Sequence, residues 1–519
     1  MQNIANLFSH YLGLFSYFNI YKVYLHTQIK KMKKHCLLIL ILAICLVGFA
    51  QKKIEYIEYD LANGIHVILH QETSTPIVAV SVLYHVGSKN EVPDRTGFAH
   101  FFEHLLFEGS VNIGRGEYSK IVEKNGGELN ANTSQDRTYY YELLPSNQLE
   151  LGLWLESERM LHAKVDTKGI ETQRSVVKEE KRQRVDNQPY GSFFTEMFKR
   201  VFTTHPYNWA PIGSMEHLDA AEEVDYVNFY KDYYVPSNAT LSIAGDIDIE
   251  QTKKWINTYF ASIPKGQALN VYRDYISLTD DEFKKLYAIS KNKFDSKNFM
   301  NPKDVAARKI VNDFASKQII IKRTQKDKTA LTGITKDVIY DNIQLPAIFM
   351  GYKFPEQTNS DSYAIEMLNE VLSGGGSSRI NKSIVEKKEM ATFAFSFYYG
   401  LEDAGIGIFA AIASQNVSLD SIQKEFDSQI ELIKNELISD EEFNKARNKF
   451  ENNLVSSNSS IAGIAENLAD NHVYYGNANR VNILLDNYMK VTKEDIQRVA
   501  NKYLTQEARV ILNYLPKEK

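Results

Sequence analysis

At 519 residues the chain is long enough for more than one domain, and an apolar fraction of 44% is ample for real hydrophobic cores. A net charge of −5 gives no basis for a nucleic-acid partner. Both cysteines, Cys36 and Cys45, fall in one N-terminal apolar segment, so any metal bound beyond it must be held by His and carboxylate.

Residues 1–50 read as a targeting segment. Lys30, Lys31, Lys33 and Lys34 precede an uncharged run from Cys36 to Ala50, and Gly48 and Ala50 supply small residues before Gln51. That order is the order of a cleavable secretory signal, and about 15 apolar residues are too few for an ordinary membrane span. Ile44 before Cys45 argues against lipidation. Met32 starts a complete signal by itself, which makes it the expected initiator and residues 1–31 an over-extended reading. An uncleaved anchor is the alternative. Either way the body of the chain is expected outside the cytoplasm, in a bacterial periplasm or secreted.

From Glu55, the alternating stretch His66-Val67-Ile68-Leu69-His70 and the apolar run Ile77-Val78-Ala79-Val80-Ser81-Val82-Leu83-Tyr84 predict two strands. The run from Gly97 to Phe107 then predicts a helix stopped by Gly109, and it contains His100-Phe101-Phe102-Glu103-His104. Positions four apart share a helix face, so both imidazoles point the same way, with Glu103 one turn beyond His100 on nearly the same side. Two imidazoles are half of a tetrahedral zinc site, and a carboxylate beside them can take a proton from water held there. Asn130-Ala131 follows the Gly126-Gly127 turn and precedes the strand Thr138-Tyr139-Tyr140-Tyr141. A small-residue edge strand of this kind can accept a peptide as an added strand.

The helix around residues 171–182 carries Gln173, Val176, Val177 and Glu180 on one stripe. Its two valines predict that the stripe faces inward and takes Glu180 with it, while Glu179 is turned away. A buried carboxylate needs a partner, and zinc is one.

Residues 283–328 differ in character, with 13 Lys plus Arg against four Asp. This reads as a solvated, partly helical insertion in an interdomain linker, with an acidic docking partner as the sharper alternative. Beyond it, Val338-Ile339-Tyr340 and Ala347-Ile348-Phe349-Met350-Gly351-Tyr352 repeat the opening strands. The helix-then-strand pattern ending at Ala244 recurs in Val499 to Asn513. The expected fold is therefore α+β, with two tandem duplicated domains, each an antiparallel-rich sheet packed by helices on one face. The expected boundaries are 1–50 for the leader, 51–262 for the zinc-binding domain, 263–334 for the linker and 335–519 for the second domain. Gly374-Gly375-Gly376 lacks the Lys-Ser/Thr ending of a phosphate loop and reads as a flexible turn.

H-x-x-E-H is the inverted zinc motif, and from about Glu55 to Pro516 the chain resembles the pitrilysin–insulinase family of zinc metallopeptidases, the inverzincins. Supporting stretches are Gly126 to Ser134, His205-Pro206-Tyr207, Pro236 to Thr240, Gly245-Asp246 and Gly374 to Arg379. The resemblance implies one Zn2+ per chain on His100, His104 and a Glu third ligand. Glu180, 76 residues after His104, has the family spacing, which selects it over Glu179. It also implies Glu103 as the general base and Asn130 and Ala131 as the peptide-binding strand.

Two positions depart from the family. Gln173 stands where a Glu usually supports the metal ligands from behind, an amide that can still hydrogen-bond but adds no charge. Val385 and Thr392 stand where the second domain usually carries a substrate-clamping Arg and Tyr. Some family members divide the zinc motif and the Arg/Tyr pair between two subunits. The expected partner is therefore a homologous subunit carrying that pair, with a homodimer or a tolerant monomer as the alternative. A non-catalytic core or scaffold subunit is the rival function.

Overall fold

The computed structural model describes residues 53–266, 321 and 323–518. The leader, Met32 and most of the basic insertion at 283–328 lie outside the described residues.

Six strands form the first sheet: β1 (Ile57–Asp60), β2 (His66–Gln71), β3 (Ile77–Tyr84), β4 (Glu128–Thr133), β5 (Thr138–Pro145) and β6 (Ala239–Gly245), in the order β1-β2-β6-β3-β5-β4. Five form the second: β7 (Ile334–Asp341), β8 (Ala347–Phe354), β9 (Ala391–Gly400), β10 (Gly405–Ala413) and β11 (Arg509–Pro516), in the order β7-β11-β8-β10-β9. β2 pairs parallel with β6, as β7 does with β11, and every other pairing is antiparallel. Removing β1 superimposes the two strand orders, which bears out the duplicated α+β reading.

The helices that matter for the site are α1 (Phe98–Leu105), α2 (Leu149–His162), α3 (Thr167–Lys181), α4 (Phe193–Val201) and α5 (Glu223–Tyr233) from the first half. From the second come α6 (Ser362–Ser373), α7 (Leu419–Asn435), α8 (Ile461–Tyr475) and α9 (Lys493–Tyr503). Alternation along β3 sends Val78, Val80, Val82 and Tyr84 into the core shared with α1, α2 and α5. On the opposite face Leu83 packs with Tyr139 against Ala469 of α8. The second sheet divides in the same way. Ile348, Met350 and Tyr352 meet α6, α7 and α9, whereas Ala347, Phe349, Ile406 and Ile408 meet Met197, Phe198 and Val201 of α4.

Each half thus covers its own sheet on one face and lends one helix to the other half's sheet. This exchange, beyond the expected single helical layer, explains why β3 and β8 are apolar on both faces. Ser81 and Ser242, the two serines of the central pair, are satisfied in place. Ser81 Oγ donates to the Ser242 carbonyl and Ser242 Oγ to the Ala465 carbonyl of α8, each at 2.8 Å.

A buried charge network joins the halves. Lys89, with a side chain 1% exposed, places Nζ 3.0 Å from Asp136, 2.7 Å from Glu402 and 3.2 Å from Asp403. Tyr207 donates to Asp136 Oδ1 (2.6 Å) and accepts the Asp403 N–H (3.0 Å). His205 lies 3.3 Å from Asp403, so the His205-Pro206-Tyr207 stretch belongs to this junction. Burial opposes ionisation of Glu402, but His85 and Lys89 overrule it and hold the carboxyl down at about 2, against an ordinary 4.5. A depressed folded-state pKa stabilises the fold above the unfolded value, and that stability is lost as pH falls through the folded one. The urea midpoint is therefore expected to drop between pH about 4.5 and about 2, with a shallower slope in Glu402→Gln. Equal slopes in the two proteins would remove Glu402 from this account.

Candidate zinc-type metal centre

α1 is eight residues long and divides its surface between two jobs. Phe98, Phe101, Phe102 and Leu105 are buried. Phe98 stacks on Tyr226 (centroids 4.6 Å) and Phe102 on Tyr230 (5.8 Å), so α5 is the wall against which the helix rests. His100, Glu103 and His104 occupy the remaining side. Gly97 opens the helix at φ +96°, a left-handed conformation that favours glycine.

Three polar ties fix the helix along its length. Glu91 Oε2 accepts the Gly97 N–H and Oε1 the Ala99 N–H, both at 2.9 Å. Tyr140 Oη donates to the Phe102 carbonyl at 2.8 Å. Arg159 of α2, fully buried, donates to the Leu106 carbonyl at 3.0 Å just beyond the helix end. Full burial pushes the Glu91 carboxyl up to about 8, against the backbone N–H groups that favour its ionised form.

α3 delivers Glu180 opposite the two histidines. Its Oε2 lies 3.4 Å from His100 Nε2 and 3.1 Å from His104 Nε2, and Arg184 holds the other oxygen at 2.7 Å. Two ligands on one zinc, with bonds of 2.0–2.2 Å and tetrahedral angles, stand about 3.3 Å apart. The donor set of two imidazole nitrogens and one carboxylate oxygen therefore suits a zinc-type cation in its chemistry, and both nitrogen–oxygen distances match zinc spacing. One ligand atom from each of His100, Glu103 and His104 also lies within 4.8 Å of the others.

The electrostatics follow from this crowding. Burial drives the His100 imidazole down to about 4, helped by His104 and Arg184 and opposed by Glu180. Glu180 is held below the usual carboxylate range, first by His104 beside it. Glu103 is raised by burial, with the nearby Thr133 hydroxyl and His104 pulling it part of the way back.

Glu179 points outward as expected, held by Arg182 and Gln183. The inward stripe is narrower than the spacing suggested. Val177 is buried, but Val176 is 44% exposed. Gln173 Nε2 donates to Glu108 Oε1 at 2.6 Å, and Glu108 in turn takes Arg115 at 2.8 Å. A Glu at position 173 would set one carboxylate against another, so the amide suits its neighbour. Asn130 and Ala131 lie on β4, the edge of the first sheet, which among the described residues pairs only with β5 and packs beside α1.

Val385 sits in the turn Asn381–Lys387 with its side chain against the second core. Thr392, exposed on β9, donates to the Ile412 carbonyl at 3.3 Å. Sequence reasoning missed Glu91, Tyr140, Arg159, Thr133 and Arg184. Only Arg184, one turn after Glu180, carried a local signal.

Glu91→Ala leaves two N–H groups at a buried helix start without acceptors, and is expected to cost about 2–3 kcal/mol in urea unfolding. A change below about 0.5 kcal/mol would show that solvent replaces the carboxylate there.

Comparison with known proteins gives a consistent result. Residues 66–208 match the model described as Insulinase (Peptidase family M16), and residues 225–450 match Peptidase M16 inactive domain. The chain is 29% identical to zinc protease PqqE of Helicobacter pylori over 458 residues, covering 87% of this chain and 91% of that one. It is 21% identical to the uncharacterized zinc protease YmxG of Bacillus subtilis, covering 86% and 96%. Among solved structures, a protease from Helicobacter pylori superimposes with a TM-score of 0.73 at 26% identity, covering 89% of this chain and all of that one. The periplasmic protease PqqL from Escherichia coli shares the fold, with a TM-score of 0.65 at 16% identity, 90% of this chain covering 48% of that one. The chain belongs to the insulinase (M16) peptidase family.

Proposed function

We propose that this chain is a zinc metalloendopeptidase acting on peptides or unfolded segments, with one zinc at this centre on His100, His104 and Glu180. The observation that carries the reading is the convergence of both imidazole Nε2 atoms on Glu180 Oε2, with Glu103 alongside. Zinc, when bound, supplies Lewis acidity toward water and toward the peptide carbonyl. Glu103 takes the proton of the attacking water and returns it to the leaving amine. Asn130 and Ala131 on the free edge of β4 hold the substrate as an added strand, which favours loose sequence preference. Gln173 supports the centre from behind as an amide, on the same helix as Glu180 and donating to Glu108.

Residues 51–262 then form the catalytic domain, 263–334 the linker and 335–519 a second domain without the Arg/Tyr pair. Val385 and Thr392 offer no cation or phenol, so the active particle needs a homologous partner subunit that does; a homodimer would lack them too. The leader places this particle in the periplasm or outside the cell. Among the described residues, no helix is long and apolar enough to cross a membrane.

The test is hydrolysis of a quenched fluorescent peptide by the chain from Gln51, with zinc measured alongside, in the presence and absence of an Arg/Tyr-bearing homologue. Glu103→Gln is expected to keep its zinc and lose at least about 100-fold in rate, with wild-type activity appearing only in the mixture. Activity of the chain alone would refute the partner requirement. Bound zinc without Glu103-dependent hydrolysis in any pairing would establish the scaffold reading instead.

A further inference from the structure

Glu180 is the last residue but one of α3, and the chain beyond it is built unusually. Arg182–Asp186 continue the helix as a π turn, closed by the Asn187 N–H on the Arg182 carbonyl five residues back, at 2.8 Å. Wide turns of this kind are rare and recur at functional sites. The tail is then pinned to the second half. Tyr190 takes a left-handed φ of +61°, which is costly for so large a side chain. Its N–H donates to Asp341 Oδ2 at 2.9 Å and its hydroxyl to the Leu345 carbonyl at 2.8 Å.

The run Lys181-Arg182-Gln183-Arg184 carries three cations. Lys181 lies 2.7 Å from Asp186, and Arg182 lies 2.9 Å from Glu179. Of the three, Arg184 alone turns to the metal centre, with Nη1 2.7 Å from Glu180 Oε1. Its side chain is 76% exposed, against 15% for Glu180. So exposed a pair adds little to stability, and a cation near a helix C-terminus is common. What sets this one apart is the oxygen it takes. Oε2 is the oxygen that faces both imidazoles, and Oε1 is the one that the guanidinium occupies.

A carboxylate can bind a metal through one oxygen or through both. A charged N–H on Oε1 weakens that oxygen as a donor and fixes the plane of the group, which leaves Oε2 as the ligand atom. One carboxylate oxygen with two imidazoles leaves room for water on a four-coordinate ion, whereas chelation by both oxygens competes with that water.

We propose that Arg184 is a positioning residue of the metal centre, which by occupying Glu180 Oε1 restricts Glu180 to binding through Oε2 and keeps the water position open. The inference rests on the zinc reading of His100, His104 and Glu180. In this role Arg184 touches neither the ion nor the peptide. The π turn and its anchor at Tyr190 supply the fixed base from which so exposed a side chain keeps its aim.

The experiment loads the chain from Gln51 with Co2+ in place of zinc, because the visible absorption of Co2+ is strong in a four-coordinate site and weak when the coordination number rises. Arg184→Ala is expected to keep stoichiometric Co2+ but to lose band intensity severalfold. Arg184→Lys, whose ammonium also reaches a carboxylate four residues back, is expected to retain the wild-type bands. In the zinc form, Arg184→Ala should slow peptide hydrolysis about 10- to 100-fold in the pairing that is active. Unchanged bands in Arg184→Ala would overturn the proposal. Loss of the metal from that variant would overturn it too, since Arg184 would then serve affinity and not the number of bound oxygens. Wild type taking up no more Co2+ than His100→Ala/His104→Ala would instead bring down the zinc reading itself, and this inference with it.

Discussion

The reactive geometry depends on the immobility of one eight-residue helix. A helix as short as α1 has no stability of its own in water, so its place must come from its surroundings. Glu91 holds its first N–H groups, Tyr140 its middle and Arg159 the carbonyl beyond its last turn, while α5 closes over its aromatic side. Arg159 is the costliest of these. Its guanidinium is buried among Phe107, Tyr118 and Tyr140 at 4.2–4.5 Å and is neutralised by Glu156 and Glu142. A buried ion pair of this kind is a weak source of net stability, because desolvation offsets most of the attraction. Its physical return lies in position, since it sets where α1 ends and so where His104 points.

The same constraint explains why the second half cannot be dispensed with. β3 and β6, on which the α1 layer rests, are apolar on the far side as well, and α8 is what covers that side. α4 does the reciprocal service for β8 and β11. Neither sheet could face water on its second side without exposing a continuous apolar surface. Residues Glu55–Lys519 accordingly form one unit in spite of the internal duplication.

What the sequence made legible was local. His100, Glu103 and His104 share a helix face because four residues span roughly one turn, and Glu180 rides with Val177 for the same reason. Strand limits such as Ile77–Tyr84 followed from a continuous apolar run. The stripe logic failed at Val176, because periodicity defines a face but not how much of it a neighbour covers. Nothing local announced the exchanged helices, the Lys89 network or the stacking of His66 on His472. Each joins residues hundreds of positions apart, and only the closed fold brings them together.

The two halves share a topology but divide the chemistry, and the division is built into their packing. In the first half the polar side of α1 is turned toward α3, so two imidazoles and the Glu180 carboxylate can converge with Glu103 alongside. In the second half the short helix Asn381–Lys387 rests the partly buried Val385 against the core, and Thr392 is spent on the Ile412 carbonyl. Both positions are ordered parts of the fold, and neither is itself a cation or a phenol. The second half has kept its sheet and its exchanged helix, and α8 covers the far face of the first sheet.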